Sequence, residues 1–135
     1  MSLRFLSYLF IVAFLLNFVW EFFQAPFYQF SQPKNLLWYS LRDGLMIVVL
    51  YLAVGSVLRN WRWGRRFNSR RLILLWVLGA VWAIALEYFS LDASRWTYSV
   101  EMPLLPFLNV GLWPVLQMLI LPTVAIILTR RQLVE

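Results

Sequence analysis

The sequence predicts an all-α polytopic membrane protein, a four-helix bundle with both termini on the cytoplasmic side, and three observations carry that expectation. Hydrophobic residues make up 62% of the 135 positions and charged residues only 13%, which leaves too little polar surface to surround a water-soluble core. Four apolar runs, at about residues 5–27, 36–58, 72–91 and 111–128, meet the roughly 20 helical residues needed to cross a hydrocarbon layer about 30 Å thick. The basic residues sit between and beyond these runs rather than on one folded face. The whole chain, 1–135, is a single membrane domain.

The first run is preceded only by Arg4 and is followed by Gln24, Ala25 and Pro26 rather than by a small-residue cleavage site, so it is expected to be a retained span and not a secretory signal. The second run leads into the connection 59–71, which holds Arg59, Arg62, Arg65, Arg66, Arg70 and Arg71. With four spans this connection lies on the side of both termini, which add Arg4, Arg130 and Arg131. The opposite side has Lys34, Arg42 and Arg95, so nine basic residues face three. Cytoplasmic segments are rich in Lys and Arg, and the asymmetry predicts N-in/C-in topology. Trp61 and Trp63 on the basic side, and Trp38, Tyr39, Trp96 and Tyr98 on the other, are expected as interfacial anchors. The Arg and Trp mixture of the basic connection also suits anionic lipid.

Residues 92–110 form a long outer loop with Pro103 and Pro106. Loops of that length are uncommon in compact domains and are often functional. Leu104, Leu105, Pro106, Phe107 and Leu108 are apolar enough to lie in the interface or fold back over the bundle. In the fourth run Pro114 suits a first helical turn, whereas Pro122 falls in the middle and is expected to kink the span.

The net charge of +6 is accounted for by topology, and no nucleic-acid partner is expected. Cysteine and histidine are both missing, which removes disulfides, thiol nucleophiles, imidazole bases and the usual zinc, copper and haem ligands. No cofactor or metal is expected, and any chemistry falls to carboxylates, Arg, Tyr, Trp or amides.

Ionisable groups inside a span are costly against lipid and mark functional sites by default. Asn17, Glu21 and Gln24 recur at i, i+4 and i+7 and share one face of span one beside Trp20, so this stripe is expected to point inward. In span three Gly79, Ala83 and Glu87 are spaced by four, and a small-residue face that permits close helix contact carries the carboxylate into the bundle. Span two supplies Arg42 and Asp43. Adjacent positions do not share a helix face, so Arg42 is expected to pair with a carboxylate from a neighbouring helix. Asn109, Trp113 and Gln117 share a face of span four if that helix extends outward far enough. The inferred topology puts Glu21, Arg42, Asp43 and Glu87 in the outer half of the bundle, beneath Asp92, Arg95, Trp96, Tyr98 and Glu101 of the long loop. Together they imply one polar pocket opening outward.

The stretch Asn17, Trp20, Glu21 and Pro26, with Glu87, Arg95, Trp96, Tyr98, Met102, Pro103, Gly111, Pro114 and Gln117, resembles a family of small bacterial four-span membrane proteins. That resemblance covers most of the chain and implies the four-span fold in a bacterial inner membrane, without an activity. Residues 87–117 are also similar to membrane-bound carotenoid-modifying proteins, the lycopene cyclases and carotenoid hydratases, in the order helix, aromatic-x-Tyr loop, Gly, Pro, helix. Those cyclases carry paired carboxylates after the proline. Here the residues are Pro114, Val115, Leu116 and Gln117, with no carboxylate, which argues against cyclase chemistry.

Three functions fit these residues. The first is a site for a membrane lipid or isoprenoid, with Glu21 or Glu87 as general acid or base and with Asn17, Trp20, Gln24, Arg42, Asp43, Arg95, Trp96, Tyr98, Asn109 and Gln117 as binding residues. The second is an accessory subunit, assembled with a second copy or a partner membrane subunit, whose polar residues only fix helix register. The third is a small proton- or cation-coupled transporter. The restriction of the polar residues to one half of the bundle argues against a through-path.

Overall fold

The computed structural model describes residues 1–30 and 35–133; Lys34, one of the three basic residues assigned to the outer side, lies outside them. Four helices, α1 (Leu3–Gln24), α2 (Leu36–Leu58), α3 (Ser69–Asp92) and α4 (Leu112–Thr129), account for most of the chain. All four are long and apolar enough to cross a membrane, and the protein is a four-helix membrane bundle.

The helix boundaries follow local chemistry. Ser2, Asn35 and Asn68 cap α1, α2 and α3, their side-chain oxygens accepting from the amides of Phe5, Trp38 and Arg71. The Asn68 cap explains why α3 starts three residues before the apolar run does. At the other end of α1, Ala25 keeps helical angles and donates to the Glu21 carbonyl, but Pro26 has no amide to donate to the Phe22 carbonyl. The α-helix accordingly stops at Gln24 and the chain leaves through a tight turn at Ala25–Phe27.

Around the bundle, α1 lies between α2 and α4, and α4 lies between α1 and α3. Glycines set the closest approaches. A Cβ on Gly44 of α2 would sit 3.1 Å from the backbone nitrogen of Phe14 on α1. A Cβ on Gly79 of α3 would collide with the carbonyl oxygen of Met118 on α4. That carbonyl is the one Pro122, four residues on, cannot serve with an N–H. Helix α4 nevertheless runs through Pro122, and the orphaned oxygen lies against the bare Cα of Gly79, where a Cα–H group compensates in part.

The basic end is closed by a packed plug rather than by an interfacial belt. Trp63, expected as an anchor at the headgroups, is fully buried. Its ring stacks on Tyr51 at 4.8 Å and its indole N–H donates to the Tyr51 carbonyl at 3.0 Å. The Tyr51 hydroxyl in turn donates to the Trp61 carbonyl at 2.8 Å. An indole whose N–H finds a backbone acceptor is stable inside the protein, and this contact overrides the interfacial preference. Trp61 and Trp38 remain exposed.

At the opposite end the long loop is not irregular throughout. Strand β2 (Trp96–Tyr98) pairs antiparallel with β1 (Tyr28–Phe30), which follows α1, with Tyr28 opposite Tyr98 and Gln29 opposite Thr97. Further on, Leu105 packs against the bundle core, whereas Leu104, Phe107 and Leu108 are exposed. The loop therefore folds over the bundle through a two-stranded ribbon and presents an apolar tip.

Candidate functional site

The helical faces expected to point inward do so. Asn17, Glu21 and Gln24 of α1, Asp43 of α2, Glu87 of α3 and Gln117 of α4 are each at most 5% exposed. Each of these groups needs a partner. They organise into two adjoining clusters.

The first cluster is tied by the Gln117 amide. Its Nε2 donates to Asn17 Oδ1 at 2.7 Å, to Asp43 Oδ2 at 3.2 Å and to Glu21 Oε1 at 3.3 Å. An amide NH2 has two hydrogens. The short bond to Asn17 takes one, and the two carboxyls share the other. Asn17 in turn donates to the Ala13 carbonyl at 2.7 Å. The carboxyls of Glu21 and Asp43 thus converge on one amide from two different helices. Arg42 does not reach across to another helix as expected. It folds back onto Asp43, its Nε and Nη2 each 2.9 Å from Oδ1. The long side chain overcomes the divergence of adjacent positions by lying over the Tyr39 ring, 4.8 Å from its centroid.

The second cluster surrounds Glu87. Tyr28 donates to its Oε1 at 3.1 Å, and Trp96 Nε1 and the Tyr98 hydroxyl donate to its Oε2 at 3.1 and 2.6 Å. Tyr98 also accepts from the Gly111 amide at 3.0 Å, which joins the ribbon to the start of α4. Tyr28 meets Trp96 edge to face at 5.7 Å, and Tyr39 meets Trp96 likewise at 5.8 Å. One carboxylate thus pins both strands over the bundle.

Both phenols are raised above their ordinary value of 10.0, Tyr28 well above it, first by burial and then by the negative charge of Glu87. The folded chain favours the protonated phenol. The contribution to stability is therefore complete below about pH 10 and is lost as pH rises through the higher folded values. In an alkaline titration followed by tyrosinate absorbance, the difference between wild type and the Tyr28→Phe/Tyr98→Phe double variant is expected to be flat through pH 10. It should appear only at higher pH. A difference that titrates at the ordinary value would contradict this geometry.

Comparison with protein-family models, with curated proteins and with solved structures returns no match.

Between the two clusters lies a cavity of about 20 Å3, bordered by Glu21, Asp43, Glu87, Gln117, Tyr28 and Trp96 among others. That is room for about one water molecule. Among the described residues no group of three carboxylates converges to hold a metal. On the other side of α1, between it and α4, runs an apolar groove of about 460 Å3 lined by Leu16, Val19, Trp20, Phe23, Phe27, Trp113, Leu121 and Gln24. Gln24 borders both spaces. Its Oε1 accepts from Trp20 Nε1 at 2.8 Å. The Trp113 indole N–H is buried without a partner.

Three expected site residues fall elsewhere. Arg95 is exposed, its guanidinium over the Phe89 ring at 5.0 Å, and it does not border the cavity. Asn109 is exposed with a φ of 55°, in a turn closed by its amide to the Leu105 carbonyl. Helix α4 starts only at Leu112, so the spacing of four between Asn109 and Trp113 never becomes a shared face. Trp20 borders the groove and not the polar cavity. Tyr28 was missed, because its role depends on strand pairing with Tyr98, seventy residues away, and helical periodicity carries no sign of that.

Proposed function

We propose that the protein binds a hydrocarbon-chain lipid or isoprenoid in the groove between α1 and α4, its polar end toward Gln24 and the Glu21–Asp43 pair. The carrying observation is that one buried amide, Gln24, borders both a lipid-sized apolar groove and the polar cavity. Binding sites of this kind are mostly apolar with a few placed polar groups. The Trp113 ring supplies part of the apolar wall of the groove. The general acid or base of such a site is Glu21, which meets Asp43 at the Gln117 amide beside the polar cavity. Glu87 is engaged by three donors and serves to hold the ribbon. We place the basic end on the cytoplasmic side, on the arginine asymmetry; the assignment to a bacterial inner membrane rests on the family resemblance alone.

A second reading is favoured by the small size of the polar cavity and the mutual pairing of its groups: a subunit whose network only fixes helix register. One experiment separates the two. Mass spectrometry of lipids retained by the detergent-purified protein is expected to find a defined species in wild type and at least tenfold less in Val19→Trp, which fills the groove from an exposed position. Equal retention of unselected lipids in both would leave the register reading standing and remove the binding one.

A further inference from the structure

Arg65 and Arg66 from the connection between α2 and α3, and Arg130 and Arg131 from the turn after α4, border one open cleft of about 560 Å3 with Phe67. A charge asymmetry that only orients the chain needs the right number of basic residues on one side. It does not require residues some sixty-five positions apart to meet. Here they meet because the plug holds both segments. Gly64 lies where a Cβ would be 2.8 Å from Ile126, 3.0 Å from Tyr51 and 3.4 Å from Leu133, so the connection is pressed onto the end of α4. Arg71 Nη1 donates to the carbonyls of Trp63 and Arg66 at 3.1 and 2.6 Å and fixes the backbone that carries Arg65 and Arg66. All four cleft arginines are exposed, and among the described residues none is in a salt bridge. Guanidinium groups on a rigid frame suit the planar, multiple hydrogen bonding that phosphate oxygens offer.

We propose that this cleft binds a phosphate-bearing anion, either the headgroup of an anionic phospholipid or a soluble phosphate compound. The site stands apart from the lipid groove and does not depend on it. The protein in phosphatidylcholine nanodiscs is titrated with inorganic pyrophosphate, and the detergent-solubilised protein is titrated with phosphatidylglycerol and followed by native mass spectrometry. Wild type is compared with Arg65→Gln/Arg130→Gln and with Arg59→Gln/Arg62→Gln, which removes two charges from the same connection outside the cleft. All four positions are exposed, and circular dichroism checks that each variant is folded. Saturable binding of phosphatidylglycerol, weakened at least tenfold by the cleft pair and less than threefold by the control pair, assigns the headgroup. The same pattern with pyrophosphate assigns a soluble ligand. No saturable binding of either probe, or equal loss in both variants, overturns the proposal.

Discussion

Gln117→Leu is expected to destabilise the bundle by about 3 kcal/mol, the largest effect of any single substitution in the polar interior. The leucine is similar in size, so packing is nearly kept. What disappears is the one amide that serves Asn17, Glu21 and Asp43 from a third helix. Buried acceptors that lose their donor cost about 1–3 kcal/mol each, more when charged. The helices still find some compensation within a bilayer, which keeps the total well below the sum. Reversible unfolding in mixed detergent, or steric trapping in bicelles, measures the loss. Gln117→Asn, which keeps the amide but shortens its reach, should fall between the two. A leucine variant as stable as wild type would mean that the three acceptors do not depend on Gln117.

Gly79→Ala is expected to cost about 2 kcal/mol by forcing α3 away from α4, in the range of overpacked cores. The atom in the way is the Met118 carbonyl oxygen, which is backbone and cannot rotate aside as a side chain would. Gly44→Ala is the informative comparison. Its added carbon would lie 3.1–3.2 Å from Phe14 backbone atoms, tight but open to adjustment by a few tenths of an ångström. The same unfolding measurement should show the Gly44 variant clearly less damaged. Equal effects would place the α3–α4 contact farther apart than the structure has it.

These positions show where the sequence was legible. Asn17, Glu21 and Gln24, like Gly79, Ala83 and Glu87, announce their shared faces through helical spacing alone, because inside a bilayer a polar or ionisable residue has few alternatives to the bundle interior. Gln117 falls into the same interior, but that it joins α1 to α2 depends on which helices are neighbours, and periodicity is silent on neighbours. The Arg42–Asp43 pairing was hidden for another reason. Rules about helix faces describe Cβ directions, whereas a guanidinium several bonds farther out reaches back across the face. Trp63 misled because the interfacial preference of tryptophan is a population tendency, and a single backbone acceptor at Tyr51 outweighs it. The ribbon was invisible: three-residue strands at Tyr28–Phe30 and Trp96–Tyr98 have no periodicity to detect, and they exist because three aromatic donors converge on Glu87. The expected outward pocket thus became two unlike spaces, a one-water polar cavity beneath the ribbon and an apolar groove beside it.

On the proposed function, a hydrocarbon chain occupies the groove between α1 and α4. Photolabelling in nanodiscs with a phospholipid or isoprenoid carrying a diazirine along its chain, followed by peptide mapping, tests it most directly. Adducts are expected to concentrate on Leu16, Val19, Phe23 and Trp113, and to fall at least fivefold in Val19→Trp. Labelling spread evenly over the exposed apolar positions of the other helices, such as Leu45 and Val77, with no enrichment along the groove, would contradict it.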